Sequence, residues 1–301
     1  MLKMMINSYF VTIYLFQLFF ILTSCSELKT LCGKTTDINK GYQLRDFEGI
    51  ESSRIVGGVK ALNNSWPWIG QIIDRNNKQI CGSTLIGRQF LITAAHCFGN
   101  IKEKNFEKTD YKILFGSNER NKGINYTISS ISIHPYYKKN FIAYEYDIAL
   151  IKLSKPVNIT KKLAPIGLPK NSVNRDRICI VAGWGMTSEK GEQSKYLKEL
   201  QLPILSNEIC NDFMHYRGLI NTLSSFCAGY SDGRDDACKG DSGGPLMCLE
   251  NNSWEIHGVI SWGVGCAKRG YPGVYTSVFL MRSWIFSEII RLNSNIGNIC
   301  M

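Results

Sequence analysis

Beyond Arg54 the chain is broken into short apolar runs closed by turn-forming residues, and this punctuation constrains the fold more than any other feature. The runs at 68–73, 83–86, 111–115, 148–153, 178–182, 254–262 and 274–278 are rich in Val, Ile, Tyr and Trp, with Gly, Asn, Asp and Pro between them. β-Branched and aromatic side chains pack well on a pleated surface, whereas Gly, Pro, Asn and Asp favour turns. Many short strands with recurring turn signals make an all-β barrel or sandwich. Helical periodicity enters only at 281–291, where Trp284, Ile285, Glu288, Ile289 and Arg291 give an amphipathic C-terminal helix. Repeats and low-complexity segments are absent.

The 301 residues suffice for one large β domain or two ordinary ones. Lys3 precedes an apolar stretch at 10–22, and small polar residues follow at 23–26. That order is the pattern of a secretory signal peptide over 1–26, removed on export. The apolar run is short for a membrane span and contains Gln17, so no stable membrane anchor is expected. Residues 27–54 are polar and irregular and read as a propeptide. The expected product is secreted and extracellular.

Eleven cysteines in an exported chain imply disulfides. Cys25 leaves with the signal peptide or sits at its edge. Ten remain: Cys32, Cys81, Cys97, Cys179, Cys210, Cys227, Cys238, Cys248, Cys266 and Cys300. Spacing alone does not give their pairing. The formal net charge of +10 reads as a solvated basic surface that keeps a secreted protein soluble. Affinity for an anionic polysaccharide is the weaker alternative, and nucleic acid is no expected partner of an exported chain. Sequons at Asn63, Asn125, Asn158 and Asn251 predict glycosylated surface loops.

The chemistry concentrates at Gly240-Asp241-Ser242-Gly243-Gly244-Pro245. A serine hydroxyl is a weak nucleophile and needs a base oriented by a third group. Thr93-Ala94-Ala95-His96-Cys97 supplies an imidazole, and Asp147 stands before the apolar run Ile148-Ala149-Leu150. An acid there is costly to bury without a partner. The other histidines have ordinary readings: His134 precedes Pro135 in a turn, His215 sits in a loop and His257 in a strand.

With these motifs in register with Arg54-Ile55-Val56-Gly57-Gly58, Gly183-Trp184-Gly185 and Ser261-Trp262-Gly263, the chain resembles the trypsin-like serine endopeptidases of the chymotrypsin family over 55–292. The resemblance implies an all-β fold of two six-stranded antiparallel barrels with a C-terminal helix, within a protease domain at 55–301. It implies Ser242 as nucleophile, His96 as general base and Asp147 as its orienting acid. The N–H groups of Gly240 and Ser242 would form the oxyanion hole, and Ser261 would steady the aspartate. Cleavage after Arg54 would free the Ile55 amino group to pair with Asp241, so the uncut chain would be a zymogen.

Asp236 is implied as the floor of a pocket for Arg or Lys, with Ala237, Ser261, Trp262, Gly263 and Gly273 around it. Ala237 stands where many trypsins have serine, which favours Arg over Lys. Lys239 matches a rim position. The implied bridges are Cys81–Cys97, Cys179–Cys248, Cys210–Cys227 and Cys238–Cys266. Cys32 and Cys300 remain; Gly167 occupies the place of the usual partner of a propeptide cysteine, so Cys32 is expected to pair with Cys300. Phe115 to Glu119 offers too few carboxylates for calcium, and no cofactor or metal is expected. Pro272 stands where sodium-activated relatives carry tyrosine. Expected partners are protein or peptide substrates cut after Arg or Lys, protein protease inhibitors, and an activating trypsin-like protease or the enzyme itself, acting on a monomer. A non-catalytic binding protein on the same fold is the competing reading.

Overall fold

The computed structural model describes residues 30–35, 58–99, 108–292 and 294–301. The expected signal peptide, Cys25, Arg54 and Ile55 lie outside the described residues. The strands, in chain order, are β1 (Val59–Lys60), β2 (Ile69–Ile73), β3 (Gln79–Leu85), β4 (Phe90–Thr93), β5 (Lys112–Phe115), β6 (Ile124–Ile133), β7 (Lys138–Asn140) and β8 (Ala143–Glu145). There follow β9 (Ala149–Leu153), β10 (Ile178–Gly183), β11 (Lys198–Leu205), β12 (Ser225–Ala228), β13 (Pro245–Glu250), β14 (Ser253–Trp262) and β15 (Gly273–Ser277). A short helix α1 (Asn207–Cys210) precedes β12, and α2 (Val278–Arg291) follows β15.

Two barrels result. The first closes in the order β2-β3-β4-β9-β6-β5. The second runs β11-β10-β13-β14-β15-β12 and closes through the pairing of β12 with the end of β11 at Ile204 and Leu205, while β1 pairs with its start at Lys198 and Glu199. All pairings between these strands are antiparallel. Closure removes exposed strand edges, which explains why runs as short as four residues persist in water. Trp68, Phe90, Leu91, Phe115 and Leu150 fill the first core, and Leu202, Phe226, Leu246 and Tyr275 the second. Trp68 Nε1 donates to Met247 Sδ at 2.9 Å, joining the two.

The C-terminal helix starts three residues before the periodicity suggests. Ser277 caps it, its hydroxyl accepting from Leu280 N at 3.4 Å. Its buried face is Val278, Met281, Ile285 and Ile289. Lys152 Nζ donates to the Leu292 carbonyl at 2.8 Å, which anchors the helix end on the first barrel.

The structure contains disulfides Cys32–Cys300, Cys81–Cys97, Cys179–Cys248, Cys210–Cys227 and Cys238–Cys266. The first sits in a clasp built from five distant segments. Gly33 N donates to Pro165 O at 3.0 Å, Trp254 N to Gly33 O at 2.9 Å, and Cys300 N to Ile86 O at 2.8 Å. Gly33 has φ +63°, and a β-carbon there would lie 2.5 Å from Trp254 O, so only glycine fits this close approach. Asn63, Asn125, Asn158 and Asn251 are all exposed.

Candidate active site

The site lies between the barrels. His96 sits in the 3₁₀ turn Ala95–Phe98 that follows β4, and the Cys81–Cys97 disulfide ties this turn to β3. Asp147 precedes β9, after Tyr146 at the positive φ of +50°. The Asp147 carboxylate is wholly buried and accepts three hydrogen bonds. His96 N donates to Oδ1 at 2.9 Å, and His96 Nδ1 lies 2.7 Å from Oδ2. Ser261 Oγ donates to the same Oδ2. Thr276 Oγ1 also donates to the Asp147 carbonyl at 2.9 Å. A buried carboxylate satisfied this way holds the ring with its other nitrogen, Nε2, facing away from the acid. Tyr144 stacks on the His96 ring with centroids 4.9 Å apart and planes 10° from parallel, restricting it from one side.

Ser242 comes from the turn before β13 in the second barrel. Its carbonyl accepts from Gly82 N at 2.8 Å, and Gly243 N donates to Ile260 O at 2.8 Å, so both barrels hold the turn. Ser242 and His96 line one cavity of about 420 Å³. No hydrogen bond joins their side chains among the described residues; such contacts are often long in unliganded sites and tighten on binding.

Asp236 lies in the same cavity and is 4% exposed. Its Oδ2 accepts from Ala267 N at 3.3 Å, while Oδ1 is buried with no partner among the described residues. Burial pushes its carboxyl up to about 7. The Tyr275 hydroxyl, equally buried and unpartnered, borders the same spot: a β-carbon on Gly273 would lie 2.9 Å from Asp236 Oδ1 and 3.1 Å from Tyr275 Oη. A side chain at Gly273 would therefore cover the carboxylate. At Gly263 a β-carbon would meet nothing nearer than 3.9 Å, so that wall is open. Ala237, Ser261 and Trp262 also line the cavity, with Glu189 and Lys239. The Cys238–Cys266 bridge joins the segment carrying Asp236 to the one carrying Gly263.

Asp241 is buried beside Ser242. Its Oδ1 accepts from Gly185 N at 2.7 Å and its Oδ2 from Cys238 N at 3.1 Å. Burial raises its carboxyl to about 6. Side chains on Gly183 or Gly185 would run into it, at 2.0 and 2.1 Å from the carboxylate oxygens. Among the described residues no Lys, Arg or His pairs with Asp241.

The ligating atoms of Cys81, Cys97 and His96 lie within 4.8 Å of one another, but the two sulfurs are bonded to each other and offer no thiolate. Sequence reading did not single out Tyr144 or Tyr275. An aromatic residue three before Asp147 is the only local sign of the first; nothing local marks the second, which reads as strand core.

The family model described as Trypsin matches residues 55–285. Coagulation factor XI of Bos taurus is 37% identical over 240 residues, covering 78% of this chain and 38% of the relative. Transmembrane protease serine 11G of Rattus norvegicus is 37% identical over 242 residues, covering 78% of this chain and 55% of the relative. This chain thus aligns with less than two thirds of either relative's length. With the family model running through both barrels and into α2, the chain belongs to the trypsin family.

Proposed function

We propose that this chain is a secreted serine endopeptidase, made as a zymogen, that cuts peptide bonds after Arg and, less readily, Lys. The observation that carries the reading is the buried Asp147 carboxylate, which takes both the backbone and ring N–H of His96 beside Ser242. Ser242 Oγ attacks the scissile carbonyl while His96 Nε2 takes its proton. The tetrahedral oxyanion sits against the N–H groups of Gly240 and Ser242. His96 then protonates the leaving amine, and the acyl-enzyme forms. A water, deprotonated by His96, attacks the ester and releases the acid and Ser242. Asp147, steadied by Ser261, keeps the imidazole in one tautomer and stabilises its charged form.

The unpartnered Asp236 Oδ1 supports the substrate preference. A buried carboxylate lacking a partner is stabilised by an incoming cation. A guanidinium can bind it with two parallel N–H bonds; Ala237 offers no hydroxyl to help a lysine ammonium. Trp262 and the open Gly263 wall leave room for a long side chain.

Activation follows from Asp241. Cleavage after Arg54 creates an Ile55 ammonium, and Asp241 is a buried acid for it to neutralise. Because Arg54 fits the specificity, the activator is another trypsin-like protease or the enzyme itself. Protein inhibitors of such proteases, which present an Arg or Lys to the cavity, are the expected regulators. The test is hydrolysis of an arginyl peptide amide after controlled cleavage at Arg54. Turnover that Ser242→Ala abolishes supports the reading; turnover that survives in Ser242→Ala overturns it.

A further inference from the structure

Gly240 has φ +100°, a conformation glycine adopts at low cost, and glycine's freedom also lets the adjoining peptides turn. Something outside the residue must fix the direction of its N–H. Three neighbours border the peptides on either side of it. Met186 N donates to the Lys239 carbonyl at 2.8 Å, and Gln79 Nε2 from the first barrel donates to the Gly240 carbonyl at 3.4 Å. The third is Gln193, whose carboxamide nitrogen would lie 2.3 Å from a β-carbon on Gly240.

Gln193 lies in the loop between β10 and β11, where only an isolated bridge joins it to Met186. Its side chain is held by Arg120, in the turn between β5 and β6 of the first barrel. Arg120 Nη1 donates to Gln193 Oε1 at 3.0 Å and Arg120 Nε to Ser194 O at 3.1 Å. The backbones also meet: Arg120 N donates to Lys195 O at 2.8 Å and Leu197 N to Asn118 O at 2.7 Å. With Oε1 committed to a guanidinium, the Nε2 end of Gln193 faces Gly240. Charge-assisted bonds from a planar fork fix both atoms at once, which a lysine does not reproduce.

We propose that Arg120 is a positioning residue for the oxyanion cradle, acting from the first barrel through Gln193 on Gly240. The proposal rests on the proteolytic reading of the site.

The test uses the full chain, activated at Arg54, as wild type, Arg120→Ala, Arg120→Lys, Gln193→Ala and the double variant. Three quantities are measured: kcat and KM on an arginyl peptide amide, the affinity of a peptide argininal, and the affinity of benzamidine. The aldehyde forms a hemiacetal whose oxygen occupies the cradle; benzamidine reaches only the specificity cavity. For Arg120→Ala, kcat and argininal affinity fall together by about tenfold, short of the 10²–10³ typical of losing an oxyanion donor outright. KM and benzamidine affinity stay within about twofold. Gln193→Ala matches it, the double variant is no worse, and Arg120→Lys recovers part of the loss, as expected of residues acting as one unit. Unchanged kcat in Arg120→Ala and Gln193→Ala overturns the proposal, as does a parallel loss of benzamidine affinity, which marks general disorder of the site. A wild type without arginyl amide turnover overturns the proteolytic reading itself.

Discussion

A β-carbon on Gly243 would lie 2.1 Å from the Thr93 hydroxyl oxygen and 3.1 Å from Ala94 N. The turn that carries Ser242 and the segment that leads to His96 thus touch through a residue with no side chain. Gly243 also has φ +78°, which L side chains resist. Gly243→Ala must push the two segments apart. We expect kcat on an arginyl amide to fall about a hundredfold, since a 1 Å misplacement of reacting groups can cost that much. Steady-state kinetics alongside thermal unfolding checks it; near wild-type kcat with an unshifted Tm contradicts the packing argument.

The hydroxyl of Ser261 donates to the Asp147 oxygen that also faces His96 Nδ1. Ser261→Ala leaves that buried carboxylate short of one hydrogen bond. Losing one bond to a charged group, about 1.5 kcal/mol or more, corresponds to roughly a tenfold change. The expected result is a fall of that size in kcat with KM little altered. A loss confined to KM would place Ser261 in substrate contact instead.

Asp236 carries a carboxyl raised to about 7 by burial, well above its unfolded value. The raised group favours the folded state most at pH below the unfolded value of about 4, and that contribution is lost as pH rises through 7. A cation in the cavity acts in the opposite sense, because it binds the ionised form. Benzamidine affinity should therefore climb as pH rises through about 7 and level off above it, with protons released on binding near pH 6. Calorimetry in buffers of different ionisation enthalpy measures that release. Affinity independent of pH from 5 to 9 contradicts the assignment.

That the chain is all-β was legible from residues alone, because turn signals and β-branched runs mark strands; the two six-stranded barrels came from the family resemblance, since such runs do not say which strands pair. The strand at 274–278 was read one residue late, since Val278 continues an apolar run that Ser277 ends by capping α2. The long strand β6 escaped notice because Ser129 and Ser130 interrupt its apolar pattern, and β7 and β8 are too short and polar to register. His96, Asp147 and Ser242 were legible because each lies in a distinctive local motif, whereas Asp236 was placed only through the family resemblance. Gln193 and Arg120 were not legible: their contact joins residues 73 positions apart, and neither has a local signature. The clasp was legible only as two leftover cysteines; the backbone bonds of Gly33 that surround it have no trace in the sequence.

That clasp gives a further expectation. Cys32 and Cys300 are joined across a separation of 268 residues, so cleavage after Arg54 leaves the segment containing Cys32 attached. In wild type, the fragment should appear on gels only after reduction. In Cys300→Ser it should separate without reductant, and Tm should fall by several degrees, in line with the about 2–5 kcal/mol typical of losing a native disulfide. Release of the fragment from unreduced wild type contradicts the pairing.

The central claim is that Ser242, His96 and Asp147 act together on a carbonyl above Asp236. The most direct measurement is labelling of the activated chain with a fluorophosphonate, followed by peptide mapping of the adduct. The account predicts one adduct, on Ser242, slowed by benzamidine and lost in His96→Ala. Absence of any adduct on Ser242 in the cleaved, folded protein would contradict it.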